Sequence, residues 1–445
     1  MNINKIKAVV GFFIICLIAV LVLSGIQELA RHIINKKPSP QSGGANIGSV
    51  FLYTPAYVIN ALEALDKNST DDDKSDFAEI KADNKTLETS AQSAILIDTN
   101  SKNIIYEQNA YKRLPMASTT KIITAITAIE SDVSLDTVVK ITKQMTGAEG
   151  SSIYLYEGER FTLNDLLYAL LLNSANDSAE AIAISITGSI ENFADMMNEK
   201  VRELNLKDTN LTNPHGLDSE MHYTTAYDLA MISAYALENE KFLEIVSTQN
   251  LTIYPLNQDG KKNHEGARFL RNHNKLLRLY SDAIGVKTGF TKRSGRCLVS
   301  AAERNGTRLV AVTINASDDW NDHMSMLDYG FKNYSTVEIC KEFEHKFDVN
   351  IVNGIKSTEK VQKLQCGNIS AEYASLPSYV SPEDIEYRVE LPGFVYAPVK
   401  KNDVIGKIIF TYEDKIIAYS AIVSLEDVDV YEYKPILRRI LDIFR

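Results

Sequence analysis

The chain has 445 residues, and at about 150 residues per domain this length predicts more than one folded unit. Apolar residues make up 45% and charged residues 24%, with 21 Gly and 11 Pro; these ordinary globular values exclude wholesale disorder, collagen-like repeats and a polytopic membrane protein. The formal charge of -11 would repel a phosphate backbone, so nucleic acid is not an expected partner.

The N-terminal segment, residues 1–30, is expected to export or anchor the chain. Lys5 and Lys7 flank the start of an uninterrupted apolar run over 8–23. Its length lies between the core of a cleaved signal peptide and the ~20 residues that span a bilayer, so both alternatives stay open. Residues 31–90, with Pro38, Gly43 and an acidic stretch, predict a linker.

Folded structure is predicted to begin near Ser93. Two β-rich runs on either side of Thr99 indicate a hairpin. Helical patterns follow at 118–131, 162–173, 177–187, 190–204 and 224–237, and Thr162 with Asp165 can form a capping box. From residue 284 the period changes to two, which predicts three strands joined in sequence, one turn at Asn305-Gly306, and a helix near 318–332 that covers them.

The distribution of these elements predicts the domain organisation. Many helices between two groups of strands make 91–335 an α/β or α+β unit, and 336–432, rich in Val, Ile and Tyr, a small all-β domain. The final residues, 433–445, form an amphipathic basic pattern. Such a helix is too short to cross a bilayer but is suited to its surface; docking on the protein body is the alternative.

One pair of residues in the first helix has the spacing of a nucleophile and its base. Ser118 and Lys121 are three residues apart, so a helix brings them onto one face. Burial among the isoleucines that follow would destabilise the ammonium and allow Lys121 to take the serine proton. Ser357 and Lys360 repeat the SxxK spacing in the β-rich region, where no helix aligns them, and we interpret that copy as chance.

Two further motifs accompany the Ser118–Lys121 pair in the sequence. Ser174-Ala175-Asn176 matches SxN, as does Ser101-Lys102-Asn103 in the hairpin turn, so this motif alone is weak. Lys287-Thr288-Gly289 occurs once, on the first strand of the later group. The ordered set SxxK, SxN and KTG resembles the penicillin-recognising serine enzymes. The stretches RLPMASTTK, NPHGLDSEMHYTTAYDLA and VKTGFT are similar to the low-molecular-mass penicillin-binding proteins of the serine-type D-alanyl-D-alanine carboxypeptidase family, over roughly residues 90–335.

The resemblance implies a fold and a catalytic group. The fold is β-lactamase/DD-peptidase-like: an antiparallel sheet with helices on both faces and an all-helical subdomain, followed by a small all-β C-terminal domain. In the catalytic group, Ser118 is the nucleophile and Lys121 its base, while Ser174 and Asn176 are proton-relay and substrate-positioning groups. Alanine at the middle SxN position is a conservative departure from the family pattern.

The resemblance also implies a substrate-binding strand, which comprises Lys287, Thr288, Gly289, Phe290 and Thr291. Lys287 and Thr288 would hold the terminal carboxylate of a D-Ala-D-Ala peptide, although simple strand alternation points their side chains to opposite faces. The charge of Lys287 would also disfavour a proton on Lys121. The backbone amides of Ser118 and Phe290 would form the oxyanion hole.

The expected activity is removal of the last D-alanine of peptidoglycan stem peptides through an acyl-serine intermediate, with β-lactams as inhibitors. This reaction is expected to need no metal or cofactor. The four cysteines are too few and too scattered to indicate a disulfide framework or a CxxC zinc site. The expected location is the extracytoplasmic face of the cell membrane, with the membrane surface as a partner. His215 is interpreted as structural, and Arg271 as either a support of the carboxylate site or a solvent-facing residue.

Two alternatives stay open. A serine β-lactamase shares the three motifs, but in the commonest class it hydrolyses its acyl-enzyme with a glutamate in an ExxLN loop. No such run follows Asn176, since Glu203 before Leu204-Asn205 has the wrong spacing. The second alternative is a catalytically silent cell-wall binding protein that uses the same pocket.

Overall fold

A computed structural model describes residues 87–357 and 359–431. The expected signal peptide or anchor at 1–30, the amphipathic helix expected at 433–445 and nearly all of the linker expected at 31–90 lie outside these residues. Within the described ranges, no helix is both long enough and apolar enough to cross a membrane.

The first part of the described chain mixes strands and helices. Its strands are β1 (Ala91–Asp98), β2 (Ile104–Gln108), β3 (Val138–Lys140), β4 (Arg160–Thr162), β5 (Asn250–Ile253), β6 (Arg268–Arg271), β7 (Ala283–Thr291), β8 (Gly295–Arg304) and β9 (Thr307–Ala316). Its helices are α1 (Lys121–Ile129), α2 (Leu163–Leu172), α3 (Asn176–Thr187), α4 (Ile190–Glu203), α5 (Ala226–Ala236), α6 (Glu240–Ser247), α7 (Leu276–Leu279) and α8 (Asp319–Asn333).

A five-stranded antiparallel sheet in the order β2-β1-β9-β8-β7 lies at the centre of this part. The predicted hairpin is β1-β2, and the predicted three-strand succession is β7-β8-β9. Side chains on β1 alternate between two cores: Ile95 and Ile97 pack on one face, and Ala94 and Leu96 on the other. Helix α8 covers the second face, so both sides of the sheet are buried.

Local sequence signals explain the helix that leads to the SxN segment. Thr162 accepts a hydrogen bond from the Asp165 amide at 3.0 Å, and the Asp165 carboxylate accepts one in return from the Thr162 amide, which is the predicted capping box. The leucines of α2 are buried on nearly all sides. Two helices, α6 and the four-residue α7, were not predicted. Helix α6 begins after Asn239, whose side chain accepts hydrogen bonds from two amides of its first turn.

The second part is all-β, as predicted, apart from one 3-10 turn at Pro382–Asp384 in its described residues. Its strands are β10 (Tyr334–Cys340), β11 (Lys346–Lys356), β12 (Glu359–Asn368), β13 (Glu372–Pro377), β14 (Glu386–Glu390), β15 (Phe394–Tyr396), β16 (Val404–Tyr412), β17 (Lys415–Ser424) and β18 (Asp429–Val430). The main sheet has the order β14-β16-β17-β12-β11-β15, with β18 also paired to β11, while β10 pairs with β13. These strands enclose an apolar core of their own.

Candidate active site

Ser118 and Lys121 lie on consecutive turns at the start of the first helix. Ser118 belongs to a 3-10 turn, Ala117–Thr120, and Lys121 begins α1. The Lys121 Nζ and the Ser118 Oγ are 3.0 Å apart. The spacing of three residues therefore produces the contact that the sequence predicts.

A hydrogen-bond chain supports the turn before the serine. Ala117 has a φ of 49°, a left-handed conformation that costs energy for a residue with a Cβ. His222 accepts from the Thr212 amide through Nδ1, so its Nε2 carries the proton and donates to Thr120 Oγ1 at 2.8 Å. The Thr120 hydroxyl in turn donates to the Ala117 carbonyl at 2.8 Å. This chain holds the backbone that presents Ser118.

Lys121 is fully buried, with 0% of its surface exposed. Its Nζ donates to Asn176 Oδ1 and to the His215 carbonyl oxygen, both at 2.6 Å. Burial holds the pKa of Lys121 well below its usual range, and the charge of Lys287 lowers this pKa further. Asp177 acts in the opposite direction on the same pKa. The lowered pKa favours the neutral amine over the ammonium.

The SxN segment lies at the start of α3. The Asn176 backbone amide donates to the Ser151 carbonyl at 2.7 Å, and its side-chain Nδ2 donates to the Glu149 carbonyl. Both ends of the Asn176 carboxamide are therefore engaged, one with Lys121 and one with the preceding loop. Ser174 is buried with a φ of 58°, and its hydroxyl has no hydrogen-bond partner among the residues described.

Strand β7 carries the KTG motif at the edge of the sheet. Lys287 is 1% exposed, and its Nζ donates to the Thr288 carbonyl at 2.9 Å. Burial lowers the pKa of Lys287 to about 7. Thr288 is half-buried, Phe290 is 66% exposed, and Thr291 Oγ1 donates to Asp218 at 3.0 Å.

Gly289 lies directly against the serine turn. A Cβ at this position would be 3.0 Å from the Ser118 amide nitrogen and 3.1 Å from the Met116 carbonyl oxygen. Both neighbours are backbone atoms, which cannot rotate away. Glycine therefore allows the KTG strand to approach the nucleophile, and it brings the Ser118 amide next to the segment that contains Phe290.

Sequence reasoning missed Asp177, which organises the loop beside the site. Its buried carboxylate accepts from Ser152 Oγ at 2.6 Å, from the Ile153 amide at 3.2 Å and from the Leu155 amide at 3.0 Å. The only sequence signal was its position next to the SxN motif. The contribution of His215 was also missed, because the contacting atom is its main-chain oxygen rather than its imidazole.

Several motif copies and candidate residues lie elsewhere. Ser357 is in the turn between β11 and β12 with a φ of 55°, and Lys360 lies over the ring of Tyr431. Lys102, in the Ser101–Asn103 turn, forms an ion pair with Glu238 at 2.9 Å. Arg271 is exposed on β6.

Metal-ligating side chains do not surround Ser118 in the described residues. Within residues 87–357 and 359–431, one group of three is compact enough to share an ion; it lies in the all-β part, at Cys340, Glu344 and His345.

Comparisons with known proteins identify the family of the chain and its relatives. The family model described as D-alanyl-D-alanine carboxypeptidase matches residues 79–318, and the one described as penicillin-binding protein 5, C-terminal domain, matches residues 375–430. The chain is 28% identical over 356 residues to D-alanyl-D-alanine carboxypeptidase DacF of Bacillus subtilis, which covers 78% of this chain and 88% of that one. It is 30% identical over 249 residues to DacB2 of Mycobacterium tuberculosis, covering 54% and 82%. Penicillin-binding protein 5 from Haemophilus influenzae has a similar structure, with a TM-score of 0.66, 26% identity, and coverage of 78% of this chain and 100% of that one.

These matches define a serine peptidase of the penicillin-binding class. The chain belongs to the D-alanyl-D-alanine carboxypeptidase family. The resemblance stated from the sequence is confirmed. The predicted fold class is confirmed as well, since the chain shares its fold with penicillin-binding protein 5 and an all-β part follows the sheet with helices.

Proposed function

We propose that this protein removes the terminal D-alanine from peptidoglycan stem peptides through an acyl-Ser118 intermediate. The observation that carries the proposal is the buried Lys121 amine, 3.0 Å from the Ser118 hydroxyl and held by two acceptors. Membership of the D-alanyl-D-alanine carboxypeptidase family supports the same substrate and reaction.

The hydrogen bonds of Lys121 suit it to act as the base. A neutral amine has two N–H bonds and one lone pair. Asn176 Oδ1 and the His215 carbonyl accept the two N–H bonds at 2.6 Å, so the lone pair is directed at Ser118. In the reactive state the serine hydroxyl donates to Lys121, and the amine takes its proton as Oγ attacks.

The acylation step follows from this geometry. Ser118 Oγ forms a bond to the carbonyl carbon of the penultimate D-alanine, and the carbonyl oxygen becomes an oxyanion stabilised by the amides of Ser118 and Phe290. The C–N bond then breaks, and the proton taken by Lys121 passes through Ser174 to the departing amine. Free D-alanine leaves, and the remaining peptide is an ester on Ser118.

Deacylation repeats the same transfers with water. Water gives one proton to the neutral Lys121 and adds to the ester carbonyl, and Ser118 regains its proton when the C–O bond breaks. A β-lactam enters at the first step by the same attack, but its amide nitrogen stays attached to the acyl group through the opened ring.

Lys287 and Thr288 are proposed to bind the carboxylate of the terminal D-alanine. A buried amine whose pKa is lowered to about 7 gains a proton most readily when an anion lies beside it. A bound carboxylate therefore fixes the positive charge on Lys287. That charge then keeps the pKa of Lys121 low, so substrate binding favours the neutral base.

The test is a paired assay of D-alanine release from a tripeptide ending in D-Ala-D-Ala and of labelling by a fluorescent penicillin. Ser118→Ala should abolish both signals, and Ser357→Ala, the matched serine of the second SxxK, should leave both intact. Lys287→Ala should slow hydrolysis of the peptide with a free terminal carboxylate more than hydrolysis of the same peptide with a terminal amide. Labelling lost in Ser357→Ala instead would overturn the assignment.

The same assay separates the two alternatives. A β-lactamase would release the fluorescent penicillin within its turnover time, whereas we expect a lasting label on Ser118. A silent binding protein would give neither label nor D-alanine. A lasting label without D-alanine release would contradict the proposed substrate.

We also propose a cell-wall location and a domain division. The apolar run at 8–23 supports export, and the amphipathic basic pattern at 433–445 supports attachment to the outer face of the membrane. The proposed division is 1–30 export segment or anchor, 31–90 linker, 91–335 catalytic, 336–432 all-β and 433–445 membrane-associating. If the N-terminal segment is cleaved, deletion of residues 433–445 should move the protein from the membrane fraction to the soluble exported fraction. A protein that has a cleaved N-terminus and still fractionates with the membrane after this deletion would refute the assignment of 433–445 as the membrane-associating helix.

A further inference from the structure

Three side chains of metal-ligating type converge where β10 leads into β11. Cys340 ends β10, and Glu344 and His345 close the short turn before β11 begins at Lys346. The candidate ligand atoms of these three residues all lie within 4.8 Å of one another. We propose that Cys340, Glu344 and His345 bind a zinc ion that fastens this turn.

A buried asparagine already positions two of the three ligands. Asn368 is fully buried on β12, and its Nδ2 donates to the Cys340 Sγ at 3.3 Å. Its Oδ1 accepts from the His345 backbone amide at 2.9 Å. Hydrogen bonds to the groups that hold a metal orient them and tune their affinity. Asn368 thus does here what a supporting residue does around a zinc thiolate.

Glu344 and His345 each keep a free ligand atom. The Lys341 amide donates to Glu344 Oε2 at 2.7 Å, which orients the carboxylate and leaves Oε1 for an ion. Among the described residues, neither ring nitrogen of His345 has a hydrogen-bond partner. The ring is stacked near Phe347 and tilted toward Tyr387, with centroid distances of 6.4 Å and 4.9 Å, and these contacts favour one orientation of the imidazole.

The charge around the thiol favours a bound cation. Cys340 is 1% exposed, and the carboxyl groups of Glu344, Glu372 and Glu338 lie around it. Glu372 is itself buried. Neither Glu344 nor Glu372 forms an ion pair within the described ranges. A dication would displace the thiol proton and neutralise this group of acids.

The ligand set selects the metal. Thiolate and imidazole suit zinc, whereas calcium and magnesium take oxygen ligands. Three protein ligands leave the fourth tetrahedral position to water. Cys340 belongs to the apolar core of the all-β part, whereas Met116 and Ile122, on either side of Ser118 in the sequence, belong to the core of the first part. We therefore assign the ion to stabilising the entry to the all-β part and not to peptide hydrolysis. The CxxC rule missed this group because only one ligand is a cysteine.

The experiment uses the full-length protein, stripped with a chelator and titrated with Zn²⁺ alone. We expect one equivalent to bind and to raise the thermal midpoint. Cys340→Ser and His345→Gln should weaken binding by at least the ~10–100-fold that loss of a supporting residue costs. The matched controls Cys297→Ala and His264→Gln, a thiol and an imidazole elsewhere, should bind normally. Co²⁺ should give a thiolate charge-transfer band that Cys340→Ser lacks.

Circular dichroism of each metal-free variant reports whether the all-β part is folded, because labelling of Ser118 would report on the first part alone. If Cys340→Ser does not fold, His345→Gln decides, because its ring is only half-buried. Absence of zinc binding to the parent overturns the proposal, as does undiminished binding in a folded His345→Gln. Loss of binding in either control would equally show that the ion lies elsewhere.

Discussion

Replacing Asp177 by asparagine tests whether its charge, and not only its shape, serves the site. Its two oxygens accept four hydrogen bonds, from Ser152 Oγ and the amides of Ile153, Leu155 and Ser178. Asparagine keeps one oxygen, so two contacts are lost. At ~1.5–3 kcal/mol for each hydrogen bond to a charged group, the loss of two should lower the free energy of unfolding by about 3–6 kcal/mol.

Loss of these hydrogen bonds should displace the loop at 149–155 and, through it, Asn176 and Lys121. Carbonyls of Glu149 and Ser151 hold Asn176, and Asn176 holds the amine. A displacement of ~1 Å in catalytic groups can cost about 100-fold, so kcat/KM and penicillin acylation should both fall between ~10- and ~100-fold. Parallel assays of D-alanine release and of labelling rate measure the two.

The pH profile separates charge from packing. Asp177 raises the pKa of Lys121, so its removal should lower that pKa further and move the acid limb of kcat/KM to lower pH. Ser152→Ala is the control, because it removes one hydrogen bond and keeps the carboxylate; its acid limb should not move. Identical acid limbs in Asp177→Asn and Ser152→Ala would refute the electrostatic role.

Two further predictions follow from the KTG strand. Gly289→Ala forces a Cβ to 3.0 Å from the Ser118 amide nitrogen, so it should slow penicillin labelling at least ~10-fold and lower the free energy of unfolding by ~1–3 kcal/mol. The control is Gly393→Ala, whose added Cβ meets nothing within 4 Å and should change neither quantity. Equal labelling rates in the two variants would contradict the close approach of Gly289 to Ser118. Lys287→Met should stabilise the protein at pH 6, where the wild type buries an ammonium. Because the folded pKa of Lys287 is about 7 and its ordinary value 10.5, this advantage, at most about 5 kcal/mol, should shrink as pH rises across that interval, and denaturation at pH 6 and pH 10 checks the sign.

The sequence predicted best what depends on neighbouring residues. The Ser118–Lys121 contact follows from helix geometry, and the capping box at Thr162 from two residues of one turn. The link from Lys121 to Asn176 spans 55 residues and was accessible only through the family motif. Helices α6 and α7 were missed because their eight and four residues are too few to show a helical period.

Other features had no signal in residue type. Strand alternation predicts that Lys287 and Thr288 diverge, yet the Lys287 side chain bends back to the Thr288 carbonyl. Asp177 contacts a loop 22–25 residues upstream that has no periodic pattern. Contacts of this kind between distant loops depend on tertiary packing, which residue types and their spacing in one sequence do not reveal.

The His215 carbonyl has a consequence for genetics. Amino-acid substitution changes the side chain and leaves the main-chain oxygen that accepts from Lys121 in place. Mutational scanning of residue 215 therefore tests the imidazole alone, and activity that survives it does not show that the position is unimportant. Replacing the following amide by an ester, which weakens that oxygen as an acceptor, would reveal the contribution that substitution conceals.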